Sequence, residues 1–407
     1  MTMPPMRVIF GSPVWTLNGV NTFGATLIRE LRACGVDASV LLTGVDWRDP
    51  KPLPRPDDVP ITTLALPAWA TWPARWRALR EHLERAAPCL YLPNHDVQHS
   101  VVAPLLSSRV GIIGIAHSDD AQHYEHARRI GPWLNAMVGV SQTITRTLRG
   151  FDELAATRIV HVPYGVSAAP DDRGANHSPD ASPFVLRILY AGRLEARQKR
   201  SSDLLAIARA LRAGGTPFVL HIAGDGPARA ELEAESRAHS LDGHVRFLGT
   251  VPPSEIAALC LAHHAFLLPS AYEGLPLALL EAMGQGCIPV ASDIASGVPD
   301  LIDEGVNGFT APVGDVAAFA ARLAGLARDS DARRAISSRA RASVTARGLS
   351  LADTTRRYSQ LFDEVWSDVA SGRYVRPPGA LLPAPGIGWR ARARAPLARW
   401  QLALRQG

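Results

Sequence analysis

Two carboxylates, Glu273 and Glu281, lie eight positions apart in a stretch of mostly apolar and small residues. Pro276 between them favours the first helical position, so Glu273 falls in the preceding loop and Glu281 about one and a half turns inside a helix. Backbone N–H groups at such a start attract phosphate or carboxylate, and here they belong to Leu277, Ala278 and Leu279. Carboxylates accept hydrogen bonds from sugar and ribose hydroxyls. The stretch therefore predicts a site for an anionic ligand that carries hydroxyls.

A second group of candidates follows a strand predicted over 185–191. The segment from Gly192 to Lys199 places Arg193 and Lys199 at the carboxyl end of that strand, where open α/β sheets bind their ligands. A guanidinium fork and an ammonium at such an edge bind a diphosphate and offset the negative charge that grows on a leaving group. Lys199 is one of only two lysines in the chain.

Each of these motifs is also compatible with a purely structural role. Glu281 and Glu273 are alternatively a solvated helix residue and a loop charge, although a charge in so apolar a helix usually has a partner. Arg193 and Lys199 are alternatively a solvated basic loop.

Two further turns lie at predicted strand ends. Gly224-Asp225-Gly226-Pro227 opens a helix, which is a weak signal for phosphate binding because such a turn is often only a tight connection. Phe247 to Val251 places backbone groups where they can read a flat nucleobase.

Length and composition exclude several classes of protein. The 407 residues suggest two or three domains, and 47% apolar with 20% charged residues is typical of a folded globular chain. The net charge of +5 is too small to indicate nucleic acid as a partner. The four cysteines lack paired spacing, so a disulfide framework or zinc site is not expected. Without a membrane-spanning run or a secretory leader, the chain is predicted to be cytoplasmic.

Short apolar runs alternate with helix-length segments, as in parallel sheets covered by helices. The first series predicts a helix at about 22–33 and strands at 7–10, 38–42, 90–92, 110–116, 136–140 and 159–162. The second predicts strands at 185–191, 218–223, 245–248, 265–268 and 288–291. The predicted fold is α/β, with doubly wound domains at 1–167 and 184–350 and a linker at 168–183. A helix at 351–371 and a basic, Pro-, Arg- and Trp-containing tail at 372–407 follow.

Taken together, the motifs resemble glycosyltransferase family 4, retaining enzymes of the GT-B fold that use nucleotide-diphosphate sugars. The resemblance covers most of the chain and is strongest in the second half, through the two spaced glutamates, the Gly192 to Lys199 segment, the Gly224 turn and residues 296–309. In the first half, Asn18-Gly19-Val20 is similar to the family's donor-phosphate turn, with Asn18 in place of the first of two glycines. The family resemblance implies two Rossmann-like domains facing a central cleft, with the 351–371 helix crossing back to the first domain.

The resemblance also implies a role for each candidate residue. Glu273 would contact hydroxyls of the donor sugar and Glu281 those of the ribose, while Arg193, Lys199 and Gly19 would hold the diphosphate. The other donor contacts that it implies are Gly224, Val251 through its backbone, Gly274, Leu275, Leu277 and Ala278. No carboxylate is expected to act as a covalent nucleophile, because the leaving phosphate is proposed for this family to help take the acceptor proton.

His117 ends a predicted strand and matches the family's cleft histidine, although a lone histidine is more often structural. It is expected to position the donor sugar or the acceptor, and the predicted catalytic set is Glu273, His117, Arg193 and Lys199. Asp119-Asp120 resembles an acidic metal motif. No metal or other cofactor is expected, however, since the Arg193 and Lys199 pair and the helix start already supply positive potential.

Two segments are candidates for contact with a membrane. Trp69, Trp72 and Trp76, with Arg75, Arg77 and Arg80 nearby, indicate either an interfacial helix or an aromatic core face that Pro73 interrupts. The tail is either an anchor for anionic lipid or a disordered basic end. Its aromatic and basic residues are Trp389, Arg390, Arg392, Arg394, Arg399, Trp400 and Arg405. Membrane contact would place the protein at the inner face of the plasma membrane.

The sequence therefore predicts a retaining hexosyltransferase that uses a UDP- or GDP-sugar. The acceptor is expected to be a hydroxyl of a glycan or lipid-linked glycan in cell-surface polysaccharide synthesis. Two alternatives remain open: a catalytically silent nucleotide-sugar binding partner in a polysaccharide assembly complex, and another GT-B activity such as a phosphorylase or epimerase.

Overall fold

The computed structural model describes residues 4–16, 18–44, 55–67, 69–94, 98–170, 176 and 184–382. The described residues form two compact units. The first unit contains the described residues up to Gly139, then Thr145–Val162, and the described residues from Thr355 onward. The second unit contains Val140–Ile144 and the described residues within Pro163–Thr354. The predicted boundary at 167 therefore differs from this division, because the segment that begins at Pro163 packs with the second unit.

The first unit contains a parallel sheet flanked by helices. Its strands are β1 (Arg7–Ser12), β2 (Asp37–Leu42), β3 (Ile61–Thr63), β4 (Cys89–Leu92), β5 (Val110–Ala116), β6 (Ala136–Gly139) and β7 (Arg158–His161). The helices that follow them along the chain are α1 (Gly19–Ala33), α2 (Trp72–Ala86), α3 (Ala121–Ile130) and α4 (Gln142–Arg149). The strand order is β3-β2-β1-β4-β5-β6-β7. Central strands such as β5 are fully buried, which explains their unbroken apolar sequence.

The second unit repeats the architecture with six strands. They are β8 (Leu186–Ala191), β9 (Phe218–Ala223), β10 (Val245–Gly249), β11 (Ala265–Leu268), β12 (Ile288–Asp293) and β13 (Phe309–Pro312), in the order β10-β9-β8-β11-β12-β13. The helices are α5 (Ser202–Ala213), α6 (Arg229–Ala238), α7 (Pro253–Leu261), α8 (Leu277–Gly284), α9 (Val298–Leu301), α10 (Val316–Arg328) and α11 (Ser330–Ala346). A final helix, α12 (Leu351–Ala370), begins in this unit and belongs to the first from Thr355.

Strand order places the ligand-binding edge of each sheet. In the second unit, β8 pairs with β9 on one side and β11 on the other, so the chain reverses its direction of winding between β8 and β11. The loops after these two strands lie at the carboxyl edge of such a switch point, which is where doubly wound sheets bind ligands. The equivalent position in the first unit lies between β1 and β4.

Two strands were not predicted, and both lie at a sheet edge. Only three residues form β3, and two of them are exposed. The other, β13, ends in Pro312, which cannot donate to a ladder, and its burial is partial. These two strands have little apolar surface to cover, so they lack the sequence signal of the buried strands.

The predicted apolar side of α12 is buried. Tyr358, Leu361, Phe362, Val365 and Trp366 are each at most 4% exposed. The ring of Tyr358 lies 5.8 Å from that of Phe23 in α1, and Gly111 in β5 leaves room for Val365, since a Cβ there would be 3.2 Å from its Cγ1. The helix completes the core of the first unit.

The first part of the predicted tail is folded against the first unit. Arg376 is buried, and its guanidinium donates to the carbonyl oxygens of Trp133 and Val110 while its N–H donates to Ser108 Oγ at 2.9 Å. The N–H of Leu382 donates to the carbonyl of Val101 at 3.3 Å. Residues 372–382 therefore do not belong to a free basic end. The tail's other candidates, Trp389 to Arg405, lie outside the described residues, as does most of the predicted linker.

Of the three tryptophans predicted to share a helical face, Trp72 and Trp76 lie in α2, whereas Trp69 lies before it. Pro73 does not interrupt α2 but stands in its first turn, where its missing N–H costs nothing. Trp69 precedes the helix and is 74% exposed, whereas the Trp76 indole donates to the carbonyl of Gln98 at 2.8 Å. Arg75 is buried with its side chain donating to the carbonyl of Ala70 at 3.0 Å, so it serves the fold. Across the described residues, no helix has the length and hydropathy needed to traverse a bilayer.

Candidate functional site

Two loops meet at the switch point of the second unit. Residues 192–201 follow β8, and residues 269–276 follow β11. The carbonyl of Gln198 accepts the N–H of Ala271 at 2.7 Å, and the Gln198 side chain donates to the carbonyl of Tyr272 at 3.2 Å. These contacts bring together two motifs that lie about 75 residues apart in the chain.

An ion pair joins the two loops at their centre. Lys199 Nζ donates to Glu273 Oε1 at 2.6 Å, with the lysine side chain 22% exposed and the glutamate side chain 7% exposed. The two predicted site residues thus meet each other, whereas the sequence assigned them to different parts of a ligand. Burial, with a smaller contribution from the negative charge of Glu273, raises the pKa of the Tyr164 and Tyr190 phenols, which both remain protonated.

The helix predicted beyond Glu273 begins one residue later than expected. Pro276 is the N-cap of α8, and its carbonyl accepts the N–H of Leu280 at 3.1 Å. Leu277 and Ala278, in the first turn, are half-buried, and an α-helix provides no internal acceptor for N–H groups at these positions. Glu281 lies in the next turn, and burial raises the pKa of its carboxyl group to about 7.

A third loop packs against Gly274. Ser296 Oγ donates to the carbonyl of Gly274 at 3.1 Å and lies 2.9 Å from Ser141 Oγ, which is also buried. Gly297 has φ +76°, and a Cβ there would lie 2.2 Å from the same carbonyl. The backbone between Glu273 and α8, including Leu275, is therefore held by residues 296–297, whose Ser-Gly pair is the sequence signal for this close approach.

The remaining second-unit candidates line the neighbouring strand ends. Arg193 is exposed, and its carbonyl accepts the Tyr190 hydroxyl at 2.8 Å. Gly224 has φ +144°, and a Cβ there would lie 1.9 Å from the carbonyl oxygen of Gly192. That glycine thus allows the turn after β9 to touch the Arg193 loop. Val251 is half-buried, two residues beyond the end of β10.

In the first unit, His117 follows β5 and is buried. Burial, with a smaller contribution from His123, lowers the pKa of His117 to about 3, so the ring is neutral at pH 7. Its Nε2 lies 2.5 Å from Asn94 Oδ1, and the tautomer that satisfies this oxygen carries the proton on Nε2. Gly19 is the first residue of α1, whose cap is Asn18, and a Cβ on Gly19 would meet nothing within 4 Å.

Asn94 was not predicted from the sequence. It follows β4, has φ +43° and is 2% exposed, and its Nδ2 has no hydrogen-bond partner among the described residues. Its position just beyond the predicted strand 90–92 is the signal that identifies it, because strand ends at a switch point face the ligand.

The acidic pair after His117 serves helix α3. Asp120 caps that helix by accepting the N–H of His123 at 3.0 Å, and its carboxylate also lies 2.7 Å from the His123 ring. Burial acts to raise the pKa of Asp120, but the His123 contacts outweigh it and lower the pKa. Asp119 accepts the Tyr124 hydroxyl. No group of three or more His, Cys, Asp or Glu side chains within the described part of the chain is placed to hold a metal ion.

Residues 178–343, which contain both motifs of the second unit, match the family model described as glycosyl transferases group 1. This part of the chain is similar to group 1 glycosyltransferases. The match includes the Lys199 and Glu273 pair, the start of α8 and the residues 296–297 that pack on Gly274.

Two known glycosyltransferases are similar to part of this chain. The amylovoran biosynthesis glycosyltransferase AmsK of Erwinia amylovora is 37% identical over 157 residues, which cover 37% of this chain and 37% of AmsK. The lipopolysaccharide 1,6-galactosyltransferase of Salmonella typhimurium is 36% identical over 139 residues, or 33% of this chain and 38% of that enzyme. The chain thus spans less than half the length of the relatives it matches.

The fold is compared over a larger part of the chain. Anabaena HepE, solved in complex with UDP and glucose, superposes with a TM-score of 0.70 at 17% identity, covering 88% of this chain and 100% of HepE. The predicted α/β class with two Rossmann-like units, the GT-B fold, is confirmed.

Proposed function

We propose that the protein is a retaining glycosyltransferase of family 4, which transfers a hexosyl group from a UDP- or GDP-sugar to a hydroxyl acceptor. The observation that carries this proposal is the Lys199–Glu273 pair, held at the switch point beside the start of α8. At one edge of the sheet lie the Lys199 ammonium, the buried Glu273 carboxylate and the first N–H groups of α8. Positive charge and N–H donors suit the phosphates of a nucleotide sugar, and the carboxylate suits its hydroxyls. One relative is named as an amylovoran biosynthesis glycosyltransferase and the other as a lipopolysaccharide galactosyltransferase. These names support polysaccharide synthesis as the process in which the protein acts.

Each residue then has a role in binding the donor. Glu273 uses the carboxylate oxygen that Lys199 leaves available to accept hydroxyls of the sugar, and Glu281 accepts those of the ribose. Arg193, Lys199 and the first N–H groups of α8 hold the diphosphate. Backbone groups near Val251 and the Gly224 turn lie beside the base. Gly19 and His117 are included on the family resemblance, with His117 acting as a neutral hydrogen-bonding residue.

The chemical step proposed is front-face substitution with retention. The acceptor oxygen bonds to the anomeric carbon as the bond from that carbon to the phosphate oxygen breaks. The acceptor's proton passes to the departing phosphate, so no protein carboxylate becomes attached to the sugar. Arg193 and Lys199 stabilise the charge that grows on the diphosphate, and no metal ion is required.

The acceptor is proposed to be a glycan or a lipid-linked glycan, with the protein held at the membrane surface. Trp69 supports this, because its large apolar ring is exposed and α2, which follows it in the chain, carries the exposed Arg77 and Arg80. Aromatic and basic residues at one surface favour the interface of an anionic bilayer.

The test measures release of UDP or GDP from a panel of their sugars, with and without polysaccharide acceptors, in the presence of EDTA. The wild-type protein should turn over one donor. Glu273→Ala and Arg193→Ala should lose about 100-fold or more in kcat/KM, because each removes a contact made to the reacting sugar or its leaving group.

Glu231→Ala, an exposed α6 residue of the same unit, is the matched control and should keep wild-type turnover. Thermal unfolding must remain cooperative in every variant. Wild-type turnover in Glu273→Ala would refute the site, and saturable donor binding without any turnover would instead indicate a silent binding partner.

A further inference from the structure

The loop that carries Arg193 and Lys199 is folded around one carboxylate, that of Glu195. Oε1 of Glu195 accepts the backbone N–H groups of Gln198 at 2.6 Å and Lys199 at 2.8 Å, and Oε2 accepts that of Arg197 at 3.2 Å. Burial acts to raise the pKa of Glu195, but these backbone hydrogen bonds together lower it, so the group is ionised at pH 7. Three consecutive N–H groups therefore converge on one negative charge.

The loop needs such support because its backbone leaves the ordinary conformations. Arg200, directly after Lys199, has φ +47°, a left-handed conformation that is unfavourable for a residue with a Cβ. Its side chain pairs with Asp203 in α5 at 2.7 Å, and the N–H of Ser201 returns to the carbonyl of Glu195 at 3.3 Å. The turn is thus closed at both ends, with the Glu195 carboxylate at its centre.

The residues that Glu195 holds are those that contact the second loop. Gln198 bonds to Ala271 and Tyr272, and Lys199 bonds to Glu273. The side chain of Glu195 itself makes no described contact with residues 269–276. Its influence on the binding edge passes through the backbone of Gln198 and Lys199.

We propose that Glu195 is a positioning residue that pre-organises Lys199 for the nucleoside diphosphate. This inference rests on the proposed function. In the free protein, the three hydrogen bonds fix the backbone from which the lysine side chain extends. The loop is therefore already ordered before the ligand binds. A loop ordered in advance binds more tightly, because binding no longer has to supply the conformational entropy.

The test compares UDP and GDP binding by calorimetry in the full-length wild type and in Glu195→Ala, Lys199→Met and the double variant, at a temperature well below unfolding. Each single variant should weaken affinity about tenfold. The double variant should be little weaker than the worse single variant, since Glu195 acts through Lys199. Glu195→Gln, which keeps a neutral acceptor oxygen, should recover part of the loss.

The outcomes separate this inference from the proposed function. Absence of wild-type binding to either diphosphate would refute the proposed donor site and the inference with it. Wild-type binding that Glu195→Ala leaves unchanged would overturn the inference alone, as would losses in the two single variants that add fully in the double variant. Glu231→Ala controls for removing an acid from the same unit, and its affinity should equal that of the wild type.

Discussion

At the scale of single residues, burial raises the pKa of Glu281 to about 7, so near neutral pH its carboxyl group exchanges a proton readily. A carboxylate accepts hydroxyl hydrogen bonds more strongly than the neutral acid does. The ribose that is proposed to bind at Glu281 should therefore draw the proton off. Lys199 and Glu273, by contrast, form an ion pair with each other in the free protein.

The raised pKa of Glu281 predicts a pH-dependent stability. From about pH 4.5 to about pH 7 the unfolded chain ionises this group while the folded chain keeps it protonated, so stability falls as pH rises through that range. Glu281→Gln should remove this cost and gain, relative to wild type, at most about 3 kcal/mol at pH 8.

Urea unfolding of both proteins at pH 4.5 and pH 8 measures the difference. A gap between variant and wild type that stays constant over this range would show that Glu281 ionises normally in the folded protein. His117 acts in the opposite direction, because its folded-state pKa is about 3 and the unfolded chain binds a proton there below about pH 6.5. Stability therefore rises with pH up to that point, equally in the variant and the wild type.

At the scale of helices and strands, the glycine turns determine how closely the strand-end loops approach. Gly224 permits contact between the turn after β9 and the carbonyl of Gly192, at the base of the Arg193 loop. Gly297 does the same for Gly274. These are packing requirements of the loops, and they hold whether or not a ligand also touches the same backbone.

Gly224→Ala should destabilise the second unit by at least about 2 kcal/mol, because the new Cβ would overlap a backbone oxygen and φ +144° is unfavourable for alanine. Gly243→Ala is the matched control, since its Cβ would meet nothing within 4 Å. That control should change stability by no more than about 0.5 kcal/mol. Chemical unfolding of the two variants side by side decides the point, and equal stabilities would contradict the predicted overlap.

The sequence predicted the buried strands well because short, continuous apolar runs between turn residues are typical of strands covered on both faces. It also predicted which loops carry the candidate residues, since strand ends follow from the strands. It did not predict the Lys199–Glu273 contact, because strand order is set by packing across the whole sheet. Glu195 was missed for a different reason: its partners are backbone N–H groups, which every residue except proline provides and which leave no side-chain pattern.

At the scale of the whole molecule, the net charge of +5 comes from the carboxyl-terminal tail. Residues 371–407 contain seven arginines and no acid, so the rest of the chain has 36 basic and 38 acidic residues. The two of these seven that lie within the described residues both have structural contacts: Arg376 is buried beneath the first unit's surface, and Arg373 pairs with Asp368 at 3.0 Å. The five arginines predicted for a membrane anchor, Arg390 to Arg405, lie outside the described residues, so the anchor stays a prediction.

Arg376→Ala should lower the unfolding free energy of the first unit by about 3 kcal/mol, because hydrogen bonds from a charged donor to two backbone carbonyls are lost in a buried position. Arg373→Ala removes an exposed ion pair with Asp368 and an exposed hydrogen bond to Ser367 Oγ, and should cost less than about 1 kcal/mol. Thermal unfolding of the two variants provides the comparison, and a similar effect from both would show that residues 372–382 contribute little to the first unit.

The return of α12 to the first unit also sets the order in which the chain acquires structure during synthesis. All strands and helices of the second unit up to α11 leave the ribosome before residue 355, whereas the first unit waits for Tyr358, Val365 and finally Arg376 to cover its core. The part translated first is therefore completed last. Until then the nascent chain exposes the apolar surface that α12 will cover, and chaperones that bind such surfaces have their longest opportunity at the amino-terminal half.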